Sequence, residues 1–309
     1  MLLPLALVIA LGCGAESPAS EPDRAPAEAV PEVEVQGPPL PFEPPQALTR
    51  VLAPRLSESS GLAPSGLQPS TYWTHNDSGN PAELFHFDLE GRLLGRHAVP
   101  GVDNRDWEDL AAGSCPDGQG PCIYIAEIGD NKKQYEWVAV YAVREPSGDE
   151  PAGIVATWRA RYPDGARNAE ALLRDPVTGL LYLVTKEGSG PCEIYRFPTV
   201  PSEAPGVLTL VTRLQLDGLT ASMLKVTGGD WSADGSRVVL RTYMVAWEWD
   251  VHGDDRESHW SEPPRRAWLA VEDQGEAVTY TPEYHLITSS EGVPMVVNLV
   301  PRPSATPPR

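Results

Sequence analysis

The sequence predicts an all-β protein, a β-propeller of five four-stranded antiparallel blades. Two observations support this. Between residues 47 and 300 there is no helical period of useful length, and short apolar strands alternate with Gly, Asp, Pro and Asn turns. In the same region one unit recurs, in which a polar or acidic residue opens a strand, a turn follows, and a second strand ends in polar residues. Such self-similarity is typical of repeat architectures.

The recurring unit occurs five times, as S-S-G-L, D-W-E-D, N-A-E-A, G-G-D-W and Q-G-E-A with the residues that follow each. The anchors lie 46 to 62 residues apart, which suits a blade of four short strands. Six blades are an alternative if residues 247–269 fold differently, and a β-sandwich is the competing architecture. The five anchors are Ser60, Glu108, Glu170, Asp230 and Glu276.

The end of the chain points to the way the ring closes. The fifth unit has only one further strand, P-M-V-V-N-L-V, before the Pro-rich tail at 301–309. The stretch near residues 47–56, A-L-T-R-V-L-A-P-R-L, is otherwise unassigned and can supply the missing outer strand. Pairing there would remove an exposed sheet edge. We therefore expect a propeller domain at 47–300, closed by its N-terminal strand.

The chain begins with a short apolar run that ends in Gly12-Cys13. A run of about 12 apolar residues is too short to span a bilayer, which needs about 20, but suits a signal-peptide core. Ala10-Leu11-Gly12-Cys13 resembles a bacterial lipobox, which would make Cys13 a lipidated N-terminus. The alternative is an ordinary cleaved signal with an incidental cysteine. We expect a signal peptide at 1–13 and a lipid-anchored protein of the bacterial cell envelope, at the outer membrane or cell surface.

Residues 14–46 are rich in Ala, Glu, Pro and Ser without an apolar period, which predicts a disordered tether. The formal net charge is −19 and no basic face is visible, so nucleic acid is not an expected partner. We expect a monomer whose membrane contact is the lipid anchor alone. Its ligand would be a small molecule or a protein.

Cys115 and Cys122 flank the turn-rich segment P-D-G-Q-G-P. In an oxidising compartment this spacing allows a small-loop disulfide. A metal site would need further ligands at similar spacing, and the sequence offers none. Cys192 is left over and is predicted to be a buried free thiol.

The predicted topology brings polar residues from distant parts of the chain to one end of the axis. The first strand of each blade lines the channel and the second runs antiparallel beside it, so first-strand starts and second-strand ends share one rim. The residues placed on this rim are His75, Asn76, Asp77, Glu108, Asp109, Glu127, Asp130, Asn131, Glu170, Lys186, Glu187, Asp230, Arg241, Glu276, Ser290 and Glu291.

Partly buried carboxylates around a narrow channel repel one another, and this repulsion costs several kcal/mol. Another charge or a bound proton must offset the cost. Lys186 and Arg241 could neutralise part of the charge, or some carboxyl groups could stay protonated and serve as acids or bases. A hard cation such as Ca²⁺, which prefers oxygen ligands, is the third solution. The candidate metal ligands are Asp77, Glu108, Glu170, Asp230, Glu276 and Glu291.

A catalytic interpretation makes His75 or Glu170 the base, with Lys186 and Arg241 stabilising anionic charge. His75 is equally a metal ligand or a hydrogen-bonded loop residue, and Arg241 is equally a structural counter-ion. For Asp109 and Asp234 the pinning of loops is favoured over function. Further candidate site residues are Asn76, Glu127, Asp130 and Asn131.

The segments H-N-D-S-G, D-W-E-D-L-A, I-G-D-N, A-E-A-L, L-V-T-K-E and G-E-A-V-T-Y with L-I-T-S-S-E-G resemble bacterial exported propellers of the phytase-like kind. These include the group labelled "esterase-like activity of phytase". The resemblance runs from about residue 59 to residue 292. In β-propeller phytases, which have one blade more than predicted here, Ca²⁺ at a carboxylate-rich mouth binds substrate phosphate. The resemblance implies such roles for Glu108, Glu170, Glu276 and Glu291.

Two functions follow as expectations. One is a cell-surface binding module with an acidic, Ca²⁺-dependent mouth and an unknown ligand. The other is a metal-assisted phosphoester or ester hydrolase. The sequence contains no G-x-S-x-G elbow, H-E-x-x-H, P-loop or dinucleotide fingerprint. The fold does not decide between the two.

Overall fold

The computed structural model describes residues 32–35 and 42–303, and nearly all of their regular structure is β-strand. Short helices are limited there to α1 (Ala221–Leu224) and a 3-10 turn (Ser258–Ser261). In this part of the chain no helix is long and apolar enough to cross a membrane. The predicted signal peptide with Cys13, most of the tether and the end of the tail lie outside the described residues.

The strands, in chain order, are β1 (Glu32–Val35), β2 (Gln46–Val51), β3 (Ser59–Pro64), β4 (Thr71–Asn76), β5 (Glu83–Asp88), β6 (Leu93–Ala98), β7 (Trp107–Ser114), β8 (Pro121–Glu127), β9 (Val138–Arg144), β10 (Ile154–Arg161), β11 (Ala169–Arg174), β12 (Leu181–Thr185), β13 (Cys192–Arg196), β14 (Ser202–Val207), β15 (Thr209–Leu216), β16 (Val226–Trp231), β17 (Arg237–Thr242), β18 (Val245–Asp250), β19 (Arg265–Trp268), β20 (Gly275–Tyr280), β21 (Leu286–Ser290) and β22 (Met295–Val300).

These strands form five sheets, the five blades of a propeller. From the axis outward they are β3-β4-β5-β6, β7-β8-β9-β10, β11-β12-β13-β15, β16-β17-β18-β19 and β20-β21-β22-β2, numbered here as blades one to five. The second blade gains β14 and the third gains β1 as an added parallel edge strand. The inner strands β3, β7, β11, β16 and β20 lie side by side in a closed ring. The predicted five-bladed propeller is confirmed.

The ring closes through the strand that the sequence left unassigned. β2 pairs antiparallel with β22, with Arg50 opposite Val296 and Val51 opposite Met295. The edge that the fifth blade would otherwise expose is thereby paired. Residues 247–269 supply part of β18, the 3-10 turn and β19 to the fourth blade, so they add no sixth blade.

Large aromatic side chains fill the space between blades. Trp73 and Trp107 are fully buried in one cluster between the first and second blades. Trp247 and Trp249 are buried in a cluster that joins the third and fourth blades. Burying a large apolar side chain contributes about 1.5–3 kcal/mol, so this packing holds neighbouring blades in fixed positions.

Cys115 and Cys122 form the predicted disulfide, with their Cα atoms 4.9 Å apart, and Cys192 is a buried free thiol. Burial raises the pKa of Cys192 to about 12, so it is an unreactive thiol.

Replacing Cys115 and Cys122 by Ser should lower the free energy of unfolding by about 2–3 kcal/mol, because the disulfide restricts the unfolded chain. The two cysteines have a sequence separation of 7, so the loop is short and the expected stabilisation lies at the low end for disulfides. Urea denaturation with and without reductant measures the loss. Reduced wild type should match the double variant, and equal stability of oxidised wild type and the variant would contradict the account.

Candidate metal centre at the channel mouth

The second residue of each inner strand is turned toward the channel by a β-bulge. Trp107 pairs with Glu127 and Asp109 with Ala126, which leaves Glu108 unpaired between them. The same register shift leaves Glu170 and Glu276 unpaired in β11 and β20. A bulge of this kind re-aims a side chain at the edge of a sheet. Ser60 and Thr227 occupy the corresponding positions of β3 and β16.

Three of these bulged residues converge. Glu108, Glu170 and Glu276 are buried, and each offers a carboxylate oxygen that lies within 4.8 Å of those of the other two. They come from three different blades, as the repeat predicted. The bulges therefore build one compact set of carboxylates at this end of the axis.

A second triad overlaps the first and shares Glu108. Asp77 follows β4, Asp106 precedes β7, and their carboxylate oxygens lie within 4.8 Å of each other and of Glu108. Sequence reasoning missed Asp106, although it stands two residues before Glu108 in D-W-E-D, the spacing that returns to one face of an extended chain. The term acidic mouth is used below for Asp77, Asp106, Glu108, Glu170, Glu276 and Lys186.

The segment after β8 packs closely on these carboxylates through Gly129. A Cβ atom at this position would lie 2.1 Å from Glu108 Oε1 and 2.6 Å from Asp106 Cγ. A larger residue at this position would push the carboxyl groups of Glu108 and Asp106 out of their present positions. The glycine of the I-G-D-N segment therefore suits the observed geometry of the mouth.

Burial and mutual repulsion raise the pKa of every carboxyl group in the mouth. Burial and then Glu170 raise the pKa of Glu108 well above its ordinary value. Burial raises the pKa of Glu170 to about 8 against the opposing effect of Lys186, and that of Glu276 also rises. Burial raises the pKa of Asp106 to about 6, and that of Asp77 rises too. At neutral pH the mouth must take up protons or a cation.

Lys186 is the cation of the acidic mouth. Its Nζ forms an ion pair with Glu170 Oε2 and lies 5.2 Å from the centroid of the Tyr243 ring. Burial lowers the pKa of Lys186, but Glu170 and Glu276 outweigh this and raise it. Lys186 is therefore charged, yet one ammonium faces five carboxyl groups. Lys186 therefore neutralises part of the negative charge of these carboxyl groups but not all of it.

The donor set fits a hard cation. Ca²⁺ takes oxygen ligands at about 2.3–2.6 Å, so two oxygens on one ion lie no more than about 5 Å apart. Both triads meet this condition, and all of their donors are carboxylate oxygens. Nitrogen and sulfur ligands, which structural zinc prefers, are not part of either triad. Residues of both triads could therefore hold a divalent cation of the calcium type.

Asp230 lies at the other end of the channel, which corrects its predicted place on the rim. It is the fifth residue of β16, and its Oδ2 accepts hydrogen bonds from Thr279 Oγ1 at 2.7 Å and from the Tyr280 N–H at 3.0 Å. The sequence pattern matches Asp230 to Glu108 as the start of an inner strand, but β16 already begins at Val226. The fourth blade presents Thr227 where the second, third and fifth blades present Glu.

His75 is also not at the mouth. Its side chain is fully buried, its Nδ1 lies 2.8 Å from the carbonyl oxygen of Asn76, and its ring meets the edge of Trp107 with centroids 5.7 Å apart. Burial lowers the pKa of His75 to about 4, so the ring is neutral. The structure contradicts the predicted catalytic role, because His75 packs between the first and second blades.

Arg241 is a structural counter-ion, the alternative that the sequence left open. The side chain is fully buried, its Nη2 donates to Glu272 Oε2 at 2.9 Å, and its Nη1 donates to the carbonyl oxygen of Ala277 at 2.9 Å. The predicted catalytic role is contradicted, since the side chain is fully buried and each of its three nitrogens is hydrogen-bonded within the protein. Glu272 was missed because it stands in a polar loop without any repeat signature.

Asn76 holds the loop that carries Asp77. Its Oδ1 accepts hydrogen bonds from the N–H groups of Ser57 and Glu58, both at 3.0 Å, and its Nδ2 donates to the carbonyl oxygen of Arg55 at 2.6 Å. Both polar atoms of its side chain therefore make hydrogen bonds within the protein. Asn76 supports the mouth and is not itself placed to bind a ligand.

Glu127 supports Asp106, a carboxylate of the second triad. Its carboxylate accepts hydrogen bonds from the Asp106 N–H at 2.7 Å and from Trp107 Nε1 at 3.1 Å, and it pairs with Arg105. Like Asn76, it fixes the backbone from which a mouth carboxylate projects. Its predicted site role is thus one of positioning.

Asp130 and Asn131 are tied to Glu170 through Asn168. The Asp130 N–H donates to Asn168 Oδ1 at 2.6 Å, and Asn168 Nδ2 donates to Asn131 Oδ1 at 3.3 Å and to Glu170 Oε1 at 3.2 Å. Asp130 Oδ2 accepts from the Tyr135 N–H at 2.7 Å. This network orients Glu170 from behind.

Glu291 directly follows β21, and its N–H donates to the carbonyl oxygen of Gln274. It is half-buried, and burial followed by the charge of Glu276 raises its pKa to about 7. A carboxyl group with this pKa exchanges its proton near neutral pH. Its predicted role as a metal ligand stays a prediction, since Glu291 is not part of either triad.

Asp109 closes the interior below the mouth. Its fully buried carboxylate accepts hydrogen bonds from the N–H groups of Leu110, Leu172 and Gly229 at 2.8, 2.9 and 3.1 Å. These bonds tie together the inner strands of the second, third and fourth blades. Asp109 thus has a structural role, but it pins inner strands and not loops as predicted, and it lies between the two ends of these strands.

Comparison with protein-family models gives no match, and comparison with curated proteins gives none either. Solved structures do resemble the chain. A soluble aldose sugar dehydrogenase from Escherichia coli has 14% identity over 84% of this chain and 99% of its own, with a TM-score of 0.48. A gluconolactonase from Xanthomonas campestris has 12% identity over 86% and 99%, with a TM-score of 0.44. Likeness at this level does not establish a shared activity.

Proposed function

We propose that this protein is a binding module of the bacterial cell envelope whose acidic mouth holds a divalent cation, with Ca²⁺ as the first candidate. The observation that carries the proposal is the pair of triads that share Glu108, each with oxygens within 4.8 Å. Bound Ca²⁺ would supply the positive charge that the buried carboxylates lack and would attract an anionic group of a ligand. The resemblance to phytase-like propellers supports the same assignment.

The residues of the acidic mouth would have different roles in binding. Glu108, Glu170 and Glu276 are fixed by the bulges and would hold the cation from the channel side. Asp77 and Asp106 would hold it from the loops. Lys186, which already pairs with Glu170, would add positive charge toward an anionic ligand. The ligand itself, small molecule or protein, is identified only by this preference for anionic groups.

Thermal denaturation with Ca²⁺ or chelator tests the proposal on wild type, Glu108→Gln and Glu170→Gln. Wild type should gain about 2.7 kcal/mol when Ca²⁺ reaches about 100 times its dissociation constant. Both variants should lose most of this gain. Glu90→Gln is the matched control, because Glu90 is exposed on a turn away from the mouth. A wild type that does not respond to Ca²⁺ would rule the proposal out.

Lys186→Gln should raise the affinity for Ca²⁺ about tenfold or more. A unit positive charge about 5 Å from a divalent cation costs about 1.5 kcal/mol even at the dielectric constant of water. Calorimetric titration measures the change. Lys133→Gln is the control, since Lys133 pairs with Glu187 and not with Glu170. Equal or weaker binding by Lys186→Gln would show that the cation does not bind beside Glu170.

We further propose that the protein is exported, lipidated at Cys13 and monomeric, as the apolar N-terminal run and the lipobox-like segment support. Labelling with a radioactive fatty acid should mark wild type and not Cys13→Ser. The variant should leave the membrane fraction. Unchanged labelling would reject lipidation at this residue.

A metal-assisted phosphoester or ester hydrolase is the second candidate function. Glu291 favours it, because a half-buried carboxyl group with a pKa of about 7 can donate or accept a proton near neutral pH. Hydrolysis of generic phosphate and acyl esters with and without chelator tests it. Chelator-sensitive turnover that falls with Glu291→Gln would support the hydrolase; Ca²⁺ binding without turnover would leave the binding module.

A further inference from the structure

The opposite end of the channel contains a separate cavity of about 720 Å³. It lies where the inner strands end, so the last residues of β3, β7, β11, β16 and β20 form its floor. Asp109 and its three hydrogen bonds stand between this cavity and the acidic mouth. The cavity is thus a second compartment, and its volume falls within the range of about 300–1,000 Å³ usual for small-molecule sites.

Much of the cavity wall is apolar or aromatic. Its lining includes Pro121, Pro282, Trp231, Tyr280 and Tyr284. Flat, rigid side chains of this kind bury the body of a small organic ligand at low entropic cost.

The wall is also fixed in place before any ligand arrives. Gly118 and Gly120 of the lining belong to the loop closed by the Cys115–Cys122 disulfide. Arg144 braces the same loop from outside through an ion pair with Asp117. A preformed wall lowers the cost of binding.

One cationic side chain, Arg174, belongs to the lining. Its guanidinium lies flat against Gly113, where a Cβ atom would come within 2.2 Å of Nη1, and 4.9 Å from the centroid of the Tyr124 ring. Nη2 makes a long hydrogen bond of 3.4 Å to the carbonyl oxygen of Ser114, and the buried Nε has no hydrogen-bond partner. Within the described ranges Arg174 forms no ion pair with a carboxylate.

The two acidic residues of the lining are already engaged. Asp230 accepts hydrogen bonds from Thr279, Tyr280 and Trp231. Asp234 accepts from the hydroxyl groups of Ser232, Ser236 and Tyr284. Both carboxylates are thus hydrogen-bonded within the protein, whereas the guanidinium of Arg174 has N–H groups left to donate to a ligand.

We propose that this cavity binds a small organic carboxylate. The carboxylate would accept hydrogen bonds from Arg174, whose planar guanidinium matches two carboxylate oxygens. The apolar body of the ligand would lie against Trp231, Tyr280 and Tyr284. This site is independent of the acidic mouth and of any cation there.

Calorimetric titration of the full chain with benzoate, benzamide, benzylamine and phenyl phosphate tests the proposal. EDTA is present throughout, so that no cation at the mouth captures an anion. Benzoate should bind saturably and about tenfold or more tighter than benzamide, its neutral counterpart. Equal binding of the two, tighter binding of benzylamine, or no saturable benzoate binding would overturn the proposal. Tighter binding of phenyl phosphate than benzoate would overturn the choice of a carboxylate.

Arg174→Gln should weaken benzoate binding about tenfold and leave benzamide binding unchanged. Arg174→Lys, which keeps the charge and loses the planar fork, should fall between wild type and Arg174→Gln and guards against misfolding of the first variant. Arg92→Gln is the control, because Arg92 is exposed on a β5–β6 turn outside the cavity lining. Benzoate affinity that is unchanged in both Arg174 variants would refute the role of this residue.

Discussion

Glu272→Gln is expected to lower the free energy of unfolding by about 3–5 kcal/mol, the usual cost of removing one partner from a buried ion pair. The side chains of Arg241 and Glu272 are 0% and 2% exposed, so the guanidinium would remain buried without a counter-ion. Glu272 Oε1 also accepts hydrogen bonds from Thr288 Oγ1 at 2.8 Å and Asn298 Nδ2 at 2.6 Å. In Gln one carboxylate oxygen becomes an NH₂ group, which would face either Arg241 or these two donors and can accept a hydrogen bond from neither.

Urea denaturation of Glu272→Gln measures this loss, with exposed Glu90→Gln as the control. The double variant Arg241→Met with Glu272→Leu should recover much of the stability, because apolar side chains of similar size carry no desolvation cost. A loss below about 1 kcal/mol for Glu272→Gln, the scale of a surface pair, would contradict the structural role given to Arg241.

Without a divalent cation, stability should fall as the pH rises from about 5 to about 8. The pKa of Glu170 is raised from 4.5 to about 8, that of Glu291 from 4.5 to about 7 and that of Asp106 from 3.8 to about 6. In this range these carboxyl groups bind more protons in the folded protein than in the unfolded chain, and they outnumber His75 and His259, whose lowered pKa values act in the opposite direction below about pH 6.5. The free energy of unfolding therefore decreases with pH. Below the unfolded values both states are protonated and the dependence ends.

The midpoint of thermal unfolding in chelator should therefore drop by at least about 2–4 °C across this range, the shift that about 1 kcal/mol produces in a domain of this size. Ca²⁺ should reverse the drop, and more strongly at pH 8 than at pH 5. Binding should also release protons, which appears as a dependence of the binding heat on the ionisation enthalpy of the buffer. A midpoint in chelator that rises over the same range would show that the mouth is not the group of strained carboxyls described here.

The repeat predicted the fold and the core of the site because both depend on local pattern. Glu108, Glu170 and Glu276 each open an inner strand, and blade symmetry alone places them together. The bulges that aim them at the axis are not visible in the sequence, because a bulge is a property of the pairing between two strands.

The failures have a common cause, which is side-chain direction. His75 and Arg241 stand at the ends of second strands, as predicted, but their side chains point between blades and not toward the axis. Asp230 failed through a register error within β16, because the prediction puts it at the start of the strand and it is the fifth residue. Glu272 and Arg174 gave no signal, since their roles depend on neighbours that only the closed ring provides.

A crystal of the protein grown with Ca²⁺ tests the central claim most directly, through the anomalous difference map at the acidic mouth. We expect a peak about 2.4 Å from the carboxylate oxygens of at least one triad, including an oxygen of Glu108, which belongs to both. A map without a peak at saturating Ca²⁺, with Lys186 still paired to Glu170 and the other carboxyl groups in mutual contact, would contradict it.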